Sequence, residues 1–448
     1  MSQPTLERLL GLKEATAIVV NRIIGSGIFR TPAPIFAMVG SVALFYEVWI
    51  IGAVATLFAA FCYAELVAML PRSGGPYEYL KEAYGSKVAY LRGWAMFFVS
   101  ETGAIAAVAI FFSETLSSVL FGDVQPFTVI LFAVAVVWLL SYVNSRGVKL
   151  SGKLQNIFSL VKIAVLLLVL FACFSDGFMP ASFAYEPEEK GLWGTILAIG
   201  AAMRYTFFAY SGWEGATYVA EEVKNPGKNL PASLFIGIGI VLVLYLLVNT
   251  GYLNILGAAG VENADVVAVD ALVVAMGVIG GTAVSIVIMA STFTNLNSQL
   301  FVKSRTWFAM ARDGLFFRRL ADVHPTFHTP NKALYAQAIW ATVLIFFASF
   351  AESAYETVID FFSFTSSIFN VLTLLSLWVL RKKYPDMRRP YRAWGYPFTL
   401  IIVVAIYIAF MIITLITAFW PSLIGIVLTL TGLLFYHKFR QNAVKDES

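Results

Sequence analysis

The hydrophobic pattern of this 448-residue chain consists of long apolar stretches separated by short polar segments. A helix that crosses the hydrocarbon core of a bilayer needs about 20 apolar residues, and twelve stretches approach or exceed that length. We therefore predict an all-α polytopic membrane protein. Its twelve predicted spans lie near residues 14–38, 41–70, 88–118, 126–144, 153–175, 193–221, 231–255, 267–300, 333–350, 354–380, 397–419 and 421–437.

The first span contains a segment that does not suit an uninterrupted helix, Gly25-Ser26-Gly27, with apolar residues on both sides. Each glycine in a helix interior costs about 1 kcal/mol relative to alanine. A break at membrane depth also frees backbone N–H and C=O groups that lipid cannot satisfy, so it persists only where those groups line a cavity or bind something. The segment is therefore a candidate site for a polar solute.

A second such segment, Phe207 to Trp213, interrupts span 6, which runs through the membrane in the opposite direction to span 1. Interrupted helices at corresponding positions of two oppositely oriented halves indicate a transporter built from an inverted repeat. The predicted parts are an N-terminal tail (1–13), a first repeat of helices 1–5 (14–175), an external loop (176–192), a second repeat of helices 6–10 (193–382), a basic loop with helices 11–12 (383–437) and a C-terminal tail (438–448).

Composition and charge agree with a membrane protein. The chain is 59% hydrophobic and 13% charged, whereas a soluble domain has about a quarter of its residues charged. With a cytoplasmic N-terminus, 26 of the 31 Lys and Arg residues fall on the cytoplasmic side, as the positive-inside rule requires. We therefore expect a multi-pass protein of the cell membrane with both termini in the cytoplasm. The net charge of +4 follows from these loops and does not suggest a nucleic-acid partner.

The sequence does not contain the residue patterns typical of metal binding, nucleotide binding or nucleophilic catalysis. Cys62 and Cys173 lie in apolar runs and are expected to be buried free thiols, and the three histidines lack metal-ligand spacing. The chain has no Gly-Lys-Ser/Thr phosphate loop and no Ser–His–Asp or Cys–His set in its spans. We therefore predict no enzyme, no metal and no cofactor.

The two breaks suit the two charged ends of an amino acid. The N–H groups of Gly25, Ser26 and Gly27 begin a half-helix, whose positive dipole end suits a carboxylate. The unwound carbonyls of the second break suit an ammonium group. The alternative is that Gly-Ser-Gly is only a close-packing face between helices.

Five stretches, in order and spacing, resemble the amino acid–polyamine–organocation (APC) superfamily, in particular a bacterial-type member of its L-amino acid transporter-like branch. They lie at 24–29, at 63–66 with 71–77, at 208–213 with 221–226, at 304–314, and at 389–397. The resemblance implies the LeuT-like fold, with twelve helices, a five-plus-five inverted repeat with helices 1 and 6 broken, and alternating-access transport of amino acids.

The resemblance also implies roles for individual residues. Gly25, Ser26 and Gly27 would take the substrate carboxylate, and Phe208 would be a gate over the substrate. The backbone carbonyls expected to take the amino group are those of Ile23, Phe208, Ala209 and Ser211. Lys162 would stand where a sodium ion binds in sodium-coupled relatives.

Lys162 is deep in span 5, where an ammonium is costly unless it is paired. It either forms a static ion pair or takes part in transport. A fixed cation favours sodium-independent exchange of small L-amino acids, whereas a titrating one favours proton-coupled symport. A polyamine or basic amino acid antiporter, and a sensor without net flux, are the remaining alternatives.

Further polar residues at membrane depth are candidates for the cavity: Arg22, Glu101, Arg204 and Asn295. A small residue is usual in the family at the position of Arg22. We expect Arg22 to form an ion pair with Glu65, Glu101 or Glu214; the alternative is that it lines the vestibule and favours acidic side chains. Asn295 and Asn297 complete the cavity or bond between helices. Glu65 and Glu222 are expected to form salt bridges of a gate or loop.

The expected partners are a small amino acid substrate and membrane lipids. Heteromeric relatives use a cysteine between spans 3 and 4 to bind a glycoprotein, and the corresponding loop, 122–126, has none. The resemblance therefore implies no disulfide-linked heavy subunit.

Overall fold

The computed structural model describes residues 6–175, 177–179, 183, 185, 190–348 and 354–445, and over these residues the chain is helical, without named strands. One isolated bridge pairs Leu10 with Val223. The predicted all-α class is confirmed.

In the first half of the chain, the described residues form nine α-helices. They are α1 (Leu12–Ile23), α2 (Gly27–Arg30), α3 (Pro32–Val39), α4 (Val42–Met69), α5 (Pro76–Tyr84), α6 (Ser86–Ala95), α7 (Glu101–Phe121), α8 (Pro126–Ser145) and α9 (Val148–Cys173). A π-helical turn, Met96–Ser100, joins α6 to α7. Predicted span 1 thus corresponds to α1, α2 and α3, and span 3 to α6 and α7.

The second half also begins with a broken span, formed by its first two helices. Its helices are α10 (Gly191–Ala209), α11 (Gly215–Tyr218), α12 (Pro226–Glu262), α13 (Val267–Arg312), α14 (Asn331–Ala348), α15 (Ala354–Lys383), α16 (Phe398–Thr417) and α17 (Phe419–Lys445). Short 3₁₀ turns lie at Ala220–Glu222 and Arg318–Ala321.

Within the described residues, nine helical segments are long and apolar enough to cross a membrane. The other three predicted spans are the broken span 1, α9 and α14. Large apolar side chains face outward from several spans, among them Phe171 (75% exposed) and Leu434 (78% exposed). Such exposure suits contact with lipid, and the protein is a multi-pass membrane protein.

Both predicted breaks are present. After α1, Ile24 leaves helical geometry with ψ 98°. After α10, Gly212 adopts φ 90°, a left-handed conformation that favours glycine. The same sequence feature, glycine beside a small polar residue, therefore ends a helix in each half.

At the C-terminus, α17 continues as a helix through most of the expected tail. Tyr436 packs on Tyr90, and Phe439 packs on Phe316 and Phe317. These ring contacts at the end of the last span support its extension. The repeat boundaries stay a prediction, and most of the external loop 176–192 lies outside the described residues.

Candidate functional site

The broken end of α1 leaves the carbonyls of residues 21–24 without the next turn of helix, since the last α-helical bond joins Ile24 N–H to the carbonyl of Val20. Lys162, on α9, satisfies two of them. Its Nζ donates to the carbonyl of Asn21 at 2.8 Å and to that of Ile24 at 2.5 Å. The ammonium therefore caps the negative end of the helix dipole.

Two further side chains satisfy the same helix end. Asn295 of α13 donates through Nδ2 to the carbonyls of Asn21 (3.0 Å) and Arg22 (2.7 Å). Tyr245 of α12 donates its hydroxyl to the carbonyl of Ile23 at 3.1 Å. Every freed carbonyl of α1 thus has a partner, supplied by three different helices.

The Tyr245 hydroxyl also lies 3.3 Å from the carbonyl of Ala209, the last residue of α10. A single phenol therefore bridges the broken ends of both helices. The single O–H of Tyr245 is thus shared between two carbonyls predicted to receive a substrate amino group, those of Ile23 and Ala209.

The two breaks touch at a glycine. A Cβ added to Gly27 would lie 2.8 Å from Ala209 Cα, and one added to Gly25 would lie 2.9 Å from Asn295 Nδ2. From Gly27 the chain continues as a half-helix, since Thr31 N–H donates to the Gly27 carbonyl and Thr31 keeps helical angles into α3. The start of that half-helix faces the second break.

A cavity of about 80 Å³ lies at these breaks, large enough for several water molecules. The predicted site residues that line it are Arg22, Ile23, Gly25, Ser26, Gly27, Glu101, Phe208, Ser211 and Asn295. Lys162, Ala209 and Arg204 do not line it. Lys162 and Ala209 lie directly behind the breaks, whereas Arg204 bonds to the carbonyl of Ala201 on its own helix.

Three further charged residues line the cavity, and the sequence analysis did not predict this position for them. These are Arg92, Glu214 and Lys303. Lys303 is 2% exposed and forms an ion pair with Glu101. A charge on a helix at membrane depth is the sequence signal that could have indicated them. Arg92 and Lys303, however, are among the 26 basic residues predicted to lie on the cytoplasmic side.

Among the described residues, Arg22 forms none of the three ion pairs expected of it. Glu65 pairs with Arg381 at 2.6 Å and Glu101 with Lys303, and no ion pair is recorded between Arg22 and Glu214 in the described part of the chain. Arg22 instead lies at the cavity wall, which was the alternative interpretation.

Salt bridges close the bundle on the side where the N-terminus lies. Glu222 and Arg305, both fully buried, form a bidentate pair at 2.8 and 3.2 Å. Glu65 accepts two bonds from Arg381 and one from the backbone N–H of Ala393. Both glutamates therefore form the salt bridges expected of them.

The N-terminal segment reinforces this closure. The N–H groups of Leu9 and Leu10 donate to the carbonyl of Glu222, and Lys224 N–H donates to the carbonyl of Leu10. Of the two span-8 asparagines, Asn297 bonds to Asn144 of α8 at 2.9 Å, so only Asn295 reaches the cavity. The described residues contain no group of three or more potential metal ligands.

A polar cavity between two broken helices, inside a multi-pass helical bundle, defines a membrane transporter for a small polar solute. Residues 10–434 match the model of the amino acid permease family. Over 440 residues the chain is 32% identical to the mouse large neutral amino acids transporter small subunit 2, covering 96% of this chain and 81% of that one. It is 29% identical to the human b(0,+)-type amino acid transporter 1 over 442 residues, 97% of this chain and 88% of that one.

The chain belongs to the amino acid permease family, within the APC superfamily. Its activity is amino acid transport, and it is not an enzyme. The predicted class, fold and general function are confirmed by this membership.

Proposed function

We propose that the protein exchanges L-amino acids across the cytoplasmic membrane by alternating access, without sodium. The observation that carries the proposal is the pair of hydrogen bonds from Lys162 to the carbonyls of Asn21 and Ile24. They place the Lys162 side chain, in its ammonium form, on carbonyls that would otherwise suit a driving cation.

The substrate backbone would bind between the two breaks. Its carboxylate would meet the N–H groups at Gly25, Ser26 and Gly27, where the half-helix dipole is positive. Its amino group would meet carbonyls of the second break. The carbonyl of Phe208 accepts the Ser211 N–H at 3.0 Å, and a carbonyl oxygen has a second lone pair for an ammonium.

Phe208 is 8% exposed and lines the cavity beside Phe207. Phe207 stacks on Tyr407 of α16 at 4.9 Å. An aromatic wall of this kind supports the proposed role of Phe208 as a gate over the bound substrate.

The remaining proposals concern placement and assembly. The excess of Lys and Arg on one side supports cytoplasmic termini in a cell membrane, with the Glu222–Arg305 side facing the cytoplasm. Both cysteines are free and buried, and the loop 122–126 lacks one. We therefore propose that no heavy subunit is attached by a disulfide, although one relative is named as a small subunit.

The test uses purified protein in liposomes, either empty or loaded with unlabelled amino acid. Labelled alanine, serine, leucine, glutamate and arginine are supplied outside in sodium-free buffer, with and without an inward proton gradient. Exchange predicts uptake that requires internal amino acid and ignores the gradient. Uptake into empty vesicles that follows the gradient would replace exchange by symport.

Proton-coupled symport is the second candidate, because the recorded hydrogen bonds of Lys162 go to neutral carbonyls. An ammonium without a bonded carboxylate is the one most easily deprotonated in a buried site. A polyamine antiporter is less favoured, since Glu101 is already paired with Lys303.

The variant Lys162→Ala distinguishes exchange from proton-coupled symport. It removes the cation and leaves the α1 carbonyls uncapped, so we expect exchange to fall at least tenfold at every pH if the charge is fixed. Under symport, the variant would lose proton dependence but keep exchange. Wild-type flux at every pH would exclude both roles.

A further inference from the structure

We propose that this transporter selects an amino acid whose side chain carries a carboxylate, and that Arg22 is the residue that selects it. The inference rests on the proposed function and names the substrate class of the same cavity.

The ionisable residues that line the cavity do not balance. Three are cations, Arg22, Arg92 and Lys303, and two are acids, Glu101 and Glu214. The pair between Lys303 and Glu101 leaves two arginines facing one glutamate. Among the described residues, the cavity lining therefore carries an excess of one positive charge.

Glu214 is connected to Arg92 through the hydroxyl of Tyr218. Arg92 Nη2 donates to the Tyr218 hydroxyl at 3.2 Å, and that hydroxyl lies 3.5 Å from Glu214 Oε1. These three groups form one chain of contacts. Arg22 reaches it only through the face of the Tyr218 ring, with 5.8 Å between Cζ and the ring centroid.

Within the described residues, Arg22 is therefore a buried cation without a paired carboxylate. Its side chain is 6% exposed, and Nε and Nη1 make no hydrogen bond within the described part of the chain. A guanidinium stays protonated in proteins, and its desolvation costs several kcal/mol unless an anion compensates. Its fork of donors matches a carboxylate with two parallel hydrogen bonds.

Two glycines of the second break make room for this side chain. A Cβ added to Gly215 would lie 2.8 Å from Arg22 Cδ, and one added to Gly212 would lie 3.0 Å from Nε. Gly212 also needs its positive φ. The guanidinium is thus held over the turn after α10, at the wall of the cavity.

Because the carboxylate and the amino group of the substrate would bind at the two breaks, the cavity wall at Arg22 is left for the substrate side chain. The proposed carboxylate and ammonium sites use backbone groups of the breaks, whereas Arg22 lies in the last turn of α1 and offers its side chain. A second carboxylate, such as that of aspartate or glutamate, would neutralise the excess charge.

The experiment compares acids with their uncharged amides in loaded liposomes. Uptake of labelled glutamate is measured against unlabelled aspartate, glutamate, asparagine and glutamine. Because each amide has nearly the shape of its acid, the comparison isolates the charge. We expect each acid to compete at a concentration at least tenfold below that of its amide.

Arg22→Gln should remove at least tenfold of this preference while changing the half-saturating glutamine concentration less than about threefold, and Arg22→Lys should keep part of it. Arg204→Gln, which removes a buried arginine outside the cavity, should keep it. An equal loss for acid and amide in Arg22→Gln would overturn the inference, because Arg22 would then serve the substrate backbone or the fold.

If the Arg22 variants do not fold, the wild-type competition decides, and a preference for the amides refutes the inference. Exchange of neutral amino acids alone would refute the acidic preference and leave the exchanger intact. Absence of exchange with any amino acid, acidic or neutral, would instead refute the proposed function.

Discussion

Replacing Gly27 by alanine tests whether the contact of the two breaks is needed for binding. The added Cβ would lie 2.8 Å from Ala209 Cα and 3.0 Å from Ala209 Cβ. Favourable contact between carbon atoms begins at about 3.5 Å. The neighbour is backbone at the end of α10, so it cannot rotate away, and the broken helices must separate by about 0.7 Å to restore a contact of about 3.5 Å.

The expected magnitude follows from the cost of overpacking. Inserting a methyl group into a packed site costs about 1–3 kcal/mol. If separation of the breaks relieves that strain, the half-helix N–H groups move away from the carbonyls of the second break. Loss of the same energy from substrate binding weakens affinity by about 5- to 150-fold, and Gly27→Val should weaken it further.

The assay is the half-saturating concentration for exchange in liposomes, with binding of labelled substrate to the purified protein as a second readout. Gly239→Ala is the matched control, because it adds the same methyl group to a membrane helix where nothing lies within 4 Å. Normal insertion with reduced affinity is expected for Gly27→Ala alone. Equal affinity in both variants would refute the binding role of the first break.

Two further predictions use hydrogen bonds around the site. Tyr245→Phe removes the hydroxyl that bridges the carbonyls of Ile23 and Ala209, and we expect the unpaired groups to destabilise the fold by about 1–3 kcal/mol. The measurement is the thermal unfolding temperature, which should fall and be partly restored by substrate. An unchanged temperature would show that the bridge is dispensable. Glu222→Gln leaves the fully buried Arg305 without its acid, which should lower the free energy of unfolding by about 3–5 kcal/mol. The control Asp322→Asn breaks the exposed pair with Lys332, which should lower it by less than about 1 kcal/mol. Equal effects in the two variants would contradict the importance of burial.

The positions of the spans and of both breaks could be predicted because lipid imposes strict rules on sequence. Apolar length fixes the spans, and a Gly-Ser-Gly segment inside one of them has few explanations other than a functional break. α1 ends at Ile23 and α10 at Ala209, within or next to the predicted interruptions. Helix ends beyond the lipid, such as that of α17, follow weaker rules.

The partners of charged residues could not be predicted in the same way. Glu101, Lys303 and Arg22 are far apart in sequence, and the pairing of Glu101 with Lys303 depends on the rotation of α7 and α13 about their axes. Periodicity locates a charge on a helix, but it does not show which neighbour that face meets. The expected ion pair of Arg22 was wrong for this reason.

The capping of α1 links substrate binding to helix movement. Lys162, Tyr245 and Asn295 hold the same four carbonyls from α9, α12 and α13, so a movement of α1 against α13 must break the bonds of Asn295. Each such bond contributes about 0.5–1.5 kcal/mol, or more when the donor is charged. Tyr245 holds α1 and α10 together, so these two helices can move as a unit with α12. A substrate held by both breaks strengthens that unit and can shift the equilibrium only through its different affinity for the two states. Under the proposed function, the break is therefore both the substrate site and the joint at which the bundle moves.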